Sequence, residues 1–251
     1  IYALPRDDLF DSLVASGLQT GIGDDWLRIG AIKVFTDGSL GAYTAALREP
    51  YEGQPGNRGM LVHSDEELLG IYRKAHAAEL QTATHALGDA AIAQTVQAWE
   101  TVLGEMPQKD HRHRIEHLEM PDDDLLRRIK AAGLLASCQP NFVGQWSGPG
   151  DVYETRLGKS RTAENNPYRR ILRRRIPLCF GSDGMPYGPL YGIHSAVNGF
   201  FEDQRISVDE AIRAYTAGGA YASFEADLKG TLEPGKLADF VFLGGDPFAE
   251  P

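Results

Sequence analysis

Between residues 27 and 223 the chain alternates five times between a strand-like apolar run and a helix-like segment. Strict alternation of this kind calls for a parallel sheet with helices packed outside it. "LRIGAIKVFTDGS" (27–39) reads as the first strand, and Tyr43 to Gly59 as a long loop punctuated by Pro50, Gly53, Pro55, Gly56 and Gly59. "SDEELLGIYRKAHAAEL" (64–80) has a capping serine, acids in its first turn and apolar residues at helical spacing. "QTATHALGD" (81–89) is strand then turn, residues 90–103 are helical, and "HRIEHLEM" is a third strand. "PDDDLLRRIKAAG" (121–133) is a helix opened by proline and closed by glycine, and "LLASCQPN" (134–141) a fourth strand. A long insert follows, its turn signals being Gly148, Pro149 and Gly150. "NPYRRILRRR" (166–175) reads as helix, "IPLCFGSD" (176–183) as the fifth strand, 189–200 as a short helix and "SVDEAIRAYTAGGAYAS" (207–223) as a capped helix. The tail, "KGTLEPGKLADFVFLGGDPF" (229–248), carries turn residues around "ADFVFLG", which reads as a strand of a small accessory β-structure.

A length of 251 residues allows one large domain or two small ones. A formal net charge of −10 argues against nucleic acid or an anionic membrane as the main partner, because both attract basic surfaces. Cys138 and Cys179 lie in apolar, strand-like stretches and read as small core residues, not as a secreted disulfide scaffold. No apolar run reaches the length of a membrane span and no signal peptide leads the sequence, so the expected setting is cytoplasmic.

The polar residues fall at the C-terminal ends of the strands. "IEHLEM" (115–120) ends a buried strand with Glu116 and His117, where Val or Ile would be ordinary. The first strand ends near Lys33 and "FTDGS", the second at His85, the fourth at Gln139–Pro140–Asn141 and the fifth at Asp183. In parallel α/β barrels the active site is assembled from several strand ends. Two imidazoles and a carboxylate from different strands are a workable set for Zn²⁺, which polarises a carbonyl and brings the pKa of bound water towards about 7.

Other polar residues invite blander readings. His113 precedes His117 by four residues on one strand, roughly 13 Å at strand rise, so the two cannot share a metal. His111 and His113 therefore read as exposed or structural, and His76, on an amphipathic helix, as a surface residue. Asp37, Ser39 and Gly41 form a polar turn suited to substrate contact or to loop support. Asp89 reads as a helix cap or a support of the site, and Gln139 as a hydrogen-bonding group for substrate.

The stretches "IKVFTDGSLGAYTAALREPY", "THALGDAAI", "RIEHLEM", "PLCFGSDGMP" and "GTLEPGKLADFVFLGGDPF", in that order over residues 28–248, resemble the amidohydrolase superfamily, and most closely its amidohydrolase-3 branch of metal-dependent hydrolases. The resemblance implies a TIM-type (β/α)8 barrel with a small β-sandwich. Here that would be a partial barrel of the last five βα units over residues 1–228, with a sandwich segment from 229 to 251. It implies a small-molecule substrate as partner, and hydrolysis of amide-like, non-peptide C–N bonds by a metal-activated water, with one or two divalent ions such as Zn²⁺. His85 and His117 would be metal ligands, Asp183 a ligand and the proton shuttle, and Lys33 the bridging lysine that relatives often carry as a carbamate. The chemistry is consistent: an ammonium cannot bind metal, whereas reaction with CO₂ makes an anionic carbamate, and burial lowers lysine basicity. Asp37, Ser39 and Gln139 are the substrate-side candidates.

The family pattern opens with a His-x-His on the first barrel strand, and no such motif precedes Lys33. The expectation is a C-terminal portion of a longer enzyme, inactive or nearly so by itself, with Lys33 as a plain amine. An incomplete barrel would expose sheet edges and apolar surface that a homodimer would cover. The alternative is a non-catalytic ligand- or partner-binding domain of the same ancestry. An in-frame His-x-His upstream separates the two.

Overall fold

The computed structural model describes residues 2–185 and 188–249; Pro186, the end of the "GSDGMP" stretch, lies outside them. Five strands follow one another in the main sheet, each beside the next in chain order. The chain forms two compact units, residues 1–136 and 137–251. The first holds β1 (Tyr2–Ala3), α1 (Phe10–Ala15), β2 (Arg28–Ile29), β3 (Ile32–Phe35), α2 (Asp65–Ala77), β4 (Thr82–Ala86), α3 (Asp89–Glu105), β5 (Arg114–His117) and α4 (Asp123–Ala131). β6 (Leu135–Cys138) carries the boundary between the units. The second unit continues with α5 (Pro140–Trp146), α6 (Val152–Glu164), α7 (Tyr168–Arg173), β7 (Leu178–Phe180), α8 (Pro189–Val197), α9 (Val208–Arg213), a π-helical turn (Ala214–Gly218) and α10 (Gly219–Ala222). Sequential parallel strands with intervening helices are the sheet that the alternation predicts, and they are consistent with the partial (β/α) barrel that the resemblance implies.

Register explains how the first unit sorts its side chains. Phe35 lies opposite His85, and His85 opposite Glu116. Val34, Thr84 and Ile115 occupy the alternate positions and are fully buried. They face the helices: the Tyr72 hydroxyl of α2 is 2.9 Å from Thr84 Oγ1, and the Tyr72 ring stacks on Trp99 of α3 at 4.4 Å. Each fully buried side chain of this size contributes roughly 1.5–3 kcal/mol, so this layer anchors the strands. The opposite face carries Lys33, Phe35, Ala83, His85, Arg114 and Glu116. The helices start where their caps are encoded. Ser64 forms a capping box with Glu67, and Asp122 accepts from the Leu125 amide.

In the second unit Tyr168, Phe180 and Tyr215 meet edge to face, at 5.1 and 5.5 Å. Ser207 caps α9 through a capping box with Glu210, and the helix read over 207–223 is one run interrupted by the π-helical turn. Two expectations fail here. The insert after the fourth strand, which reads as a loop from its turn signals at Gly148, Pro149 and Gly150, is helical on both sides of them, forming α5 and α6. The "ADFVFLG" run forms no strand among the described residues: Phe240, Val241 and Phe242 are exposed, Phe242 to 92%. Its β-propensity has no paired neighbour to act through. Both cysteines are buried. Among the described residues no helix is long and apolar enough to cross a membrane.

Candidate active site

His85 stands near the end of β4 with its ring against Phe35, centroids 5.0 Å apart. Its Nε2 lies 2.8 Å from the Gly38 carbonyl oxygen and therefore carries the ring proton as the donor. Strand alternation would turn His117, two residues beyond Ile115, towards the helix layer. Its backbone prevents this. His117 has φ +73° and Leu118 φ +49°, so the chain leaves β5 through two left-handed residues. The His117 ring meets the His85 ring edge to face at 4.6 Å. Lys33 stands on the same face as His85, with Nζ 4.9 Å from the Phe35 ring centroid. Glu116 takes a 2.5 Å hydrogen bond from Arg114 Nε, and Arg114 also donates to Gln81 Oε1 at 3.1 Å.

Asp37 is buried, 2% exposed, and both carboxylate oxygens receive backbone N–H groups. Oδ2 accepts from Ala46 and Gly88, each at 2.9 Å, and Oδ1 from Leu87 at 3.2 Å. Burial pushes its carboxyl up to about 7 against the downward pull of those three donors. Of the two roles the turn suggests, the geometry describes loop support. Ser39 works in the same turn: its Oγ accepts from Ala42, and its carbonyl from Thr44 and Ala45. Asp89 is also a support, accepting from the Arg48 amide at 2.9 Å.

Gln139 and Asp183 belong to the second unit. Gln139 precedes α5 and is buried, with its Oε1 unpartnered among the described residues. Asp183, at φ +50°, sits in the turn after β7, and its Oδ1 accepts from the Gly184 amide at 2.7 Å. Asn141, named with the fourth strand end but given no role of its own, donates through Nδ2 to the Ser182 carbonyl at 3.0 Å and so holds that turn. The signal was its place in a strand-end Gln-Pro-Asn.

His76 is a correction. It is buried, not on the surface, and lies 3.0 Å from His113 through Nδ1 and Nε2. Its spacing from Leu68 and Tyr72, both fully buried, was the legible signal. His111 and His113 are buried with it, in the structural role.

A catalytic zinc takes three protein ligands and keeps a position open. His85 and His117 fit two of those positions: they are adjacent imidazoles, and His85 has its other nitrogen already fixed by a carbonyl, as ligating histidines do. Among the described residues no group of three or more His, Cys, Asp or Glu is placed to hold a metal. The pair is thus a partial donor set, to which Lys33 could add oxygens only as a carbamate.

The sequence pattern of the Amidohydro_3 amidohydrolase family matches residues 5–251. The chain belongs to that family. It is 36% identical to the putative amidohydrolase YtcJ of Bacillus subtilis (strain 168) over 89% of this chain and 44% of YtcJ. It is 26% identical to N-substituted formamide deformylase of Arthrobacter pascens over 88% of this chain and 42% of that protein. Among solved structures, an uncharacterized metal-dependent hydrolase from Pyrococcus furiosus superposes with a TM-score of 0.87 at 32% identity, over 98% of this chain and 51% of that one. The chain therefore spans about half the length of the relatives it matches.

Proposed function

We propose that the protein containing this chain is a metal-dependent hydrolase of amide-like, non-peptide C–N bonds in small molecules. The observation that carries the reading is the edge-to-face contact of His85 and His117 at adjacent strand ends, with the His85 proton committed to the Gly38 carbonyl. Relatives support it: metal dependence is in the description of the Pyrococcus protein, and formamide C–N cleavage in the name of the Arthrobacter one.

In this reading His85 and His117 hold a divalent ion, Zn²⁺ in the simplest case, with Asp183 and a carbamylated Lys33 as further ligands. Such an ion, when bound, supplies Lewis acidity and an activated water. Asp183 takes a proton from the water as its oxygen bonds to the carbonyl carbon. It then passes that proton to the nitrogen as the C–N bond breaks, because an amine leaves poorly as an anion. The products are a carboxylic acid and an amine. Ser39 and Gln139 are the substrate-side hydrogen-bonding groups, while Asp37 serves the frame. A cytoplasmic homodimer completes the proposal. Buried cysteines suit a reducing compartment, and sedimentation of the purified protein tests the dimer.

The test is Asp183→Asn in the whole protein that contains this chain, assayed on N-acyl amines and N-substituted formamides. Asn tolerates the left-handed backbone at φ +50°, so the turn should survive. Turnover should fall by about 10²–10⁴-fold with metal content retained, because Asn can neither accept nor deliver the proton. Near wild-type turnover in this variant would refute the mechanism.

A further inference from the structure

We propose that Asp37 is the positioning residue for His85: by clamping the 38–48 strap to the turn that follows β4, it fixes the carbonyl that orients the His85 ring. The inference deepens the hydrolase reading and rests on it for its consequence at the metal.

Asp37 closes a ring of contacts around His85. On one side, the residue after Asp37 is Gly38, whose carbonyl takes the His85 Nε2 proton at 2.8 Å. On the other, the Leu87 and Gly88 amides, two and three residues beyond His85, both donate to Asp37. The third donor, Ala46, lies in the strap. Asp37 Oδ1 is itself 3.6 Å from His85 Nε2, so the ring is framed by the carboxylate and the carbonyl together.

The strap has little freedom once Asp37 holds it. The Ala46 carbonyl accepts from Ala90 at 3.1 Å, the Arg48 amide donates to Asp89, and the Tyr51 hydroxyl donates to the Ala45 carbonyl at 2.9 Å. A carboxylate is the side chain for this task. It has only acceptors, and here two oxygens serve three donors from two segments. Asn would place an N–H where one or two of those donors point. The chemical result is a fixed tautomer. With the proton on Nε2 and committed to Gly38, Nδ1 is the nitrogen with a lone pair for a metal.

The experiment compares the wild-type protein with Asp37→Asn and Asp37→Glu. The His85 ring is read by ¹⁵N NMR at pH 8 on chelator-treated protein, the amides of Ala46, Leu87 and Gly88 by hydrogen exchange, and Zn²⁺ binding by titration. In the wild type, His85 should be the Nε2–H tautomer with a slowly exchanging ring proton. A fast-exchanging or Nδ1-protonated ring there overturns the proposal without any variant, which keeps the test open should a variant fail to fold. Asp37→Asn should give a mixed tautomer, exchange at the three amides at least about tenfold faster, and Zn²⁺ affinity weakened by about 10–100-fold. Asp37→Glu keeps the charge but moves it by a methylene, and should not restore the wild-type signature. If Asp37→Asn loosens the amides and leaves the His85 tautomer unchanged, Asp37 only supports the loop and the proposal falls. If Asp37→Glu behaves as wild type, charge and not clamp geometry is responsible, and it falls again. Failure of the whole protein that contains this chain to bind Zn²⁺ sinks the hydrolase reading instead, while the NMR and exchange measurements still judge Asp37.

Discussion

His117 shows how a single backbone angle changes which face a residue serves. A β-strand presents alternate residues to opposite faces, and Ile115 goes to the helices, so an extended His117 would follow it. The left-handed φ at His117 and Leu118, costing of the order of 1–3 kcal/mol per non-glycine residue, reverses that. Packing around the fully buried Leu118 holds the turn in place. Asn is among the residues that accept this conformation most readily. We expect His117→Asn to remain folded, with stability lowered by roughly 1–2 kcal/mol for the lost ring packing. Its Zn²⁺ affinity should fall by more than the roughly 10–100-fold typical of losing an outer-sphere partner. His113→Asn should show the opposite pattern: lower stability, unchanged Zn²⁺ affinity. Equal Zn²⁺ binding by wild type and His117→Asn in calorimetric titration would remove His117 from the site.

The element that matters most for the site is the strap between β3 and α2, and its contact with the start of α3 is closer than any side chain allows. Gly88 has an ordinary extended backbone, φ −74° and ψ 151°, but a Cβ there would stand 1.9 Å from the Ala46 carbonyl oxygen. That obstacle is backbone and cannot swing aside. Gly88→Ala should therefore displace the strap, destabilise the protein by roughly 1–3 kcal/mol, and speed proteolysis within 43–59. An unchanged melting temperature and cleavage rate would show the strap to be loosely held. At this scale the sequence was readable where capping chemistry is local: Ser64, Asp122 and Ser207 each announce the helix that follows. α6 was not, because it lacks a coherent apolar stripe and is broken at Gly158, where φ is +74° and ψ 164°. The tail failed for the converse reason. Its apolar run has strand composition, but strand formation depends on a neighbour that composition does not reveal. Similarly, the strand-end histidines could be found because strand order puts them at one edge of a pattern. The Asp37 clamp joins residues up to 51 apart and leaves no local trace.

Stability as a whole should depend on pH through His111 and His113 of the first unit. The Thr82 amide donates to His113 Nδ1 at 3.1 Å, so His113 carries its proton on Nε2 and donates it to His76 Nδ1 at 3.0 Å. His76 then donates from Nε2 to the Met106 carbonyl at 2.8 Å. His111 accepts from the His113 amide at 3.1 Å and donates to the Ala132 carbonyl at 3.0 Å. Each ring thus has one donor and one acceptor in use, and a further proton on Nδ1 of His111 or His113 would set donor against donor. Burial holds His113 well below the usual imidazole range, reinforced by the His111 and His76 rings. Burial also lowers His111, where the Ala132 carbonyl and Asp110 pull the other way without prevailing. Trp99, stacked on His113 at 3.7 Å, would favour a cation but does not replace lost water. The sign follows. His111 and His113 bind protons more readily when unfolded, so their contribution is complete above the unfolded value of about 6.5 and is lost as pH falls below it towards the folded values. The slope should approach ~1.4 kcal/mol per pH unit for each imidazole kept neutral. Asp37, whose carboxyl is pushed up to about 7 by burial, takes up a proton in the folded state below that pH and opposes this slope by one group. In urea unfolding followed by tryptophan fluorescence the cluster is therefore read from the difference between wild type and a His113 variant. His113→Asn should be less stable at pH 8 and show a shallower slope below 6.5. Identical slopes below pH 6.5 in wild type and His113→Asn would mean that His113 takes up its proton in the folded state, contrary to its hydrogen bonding.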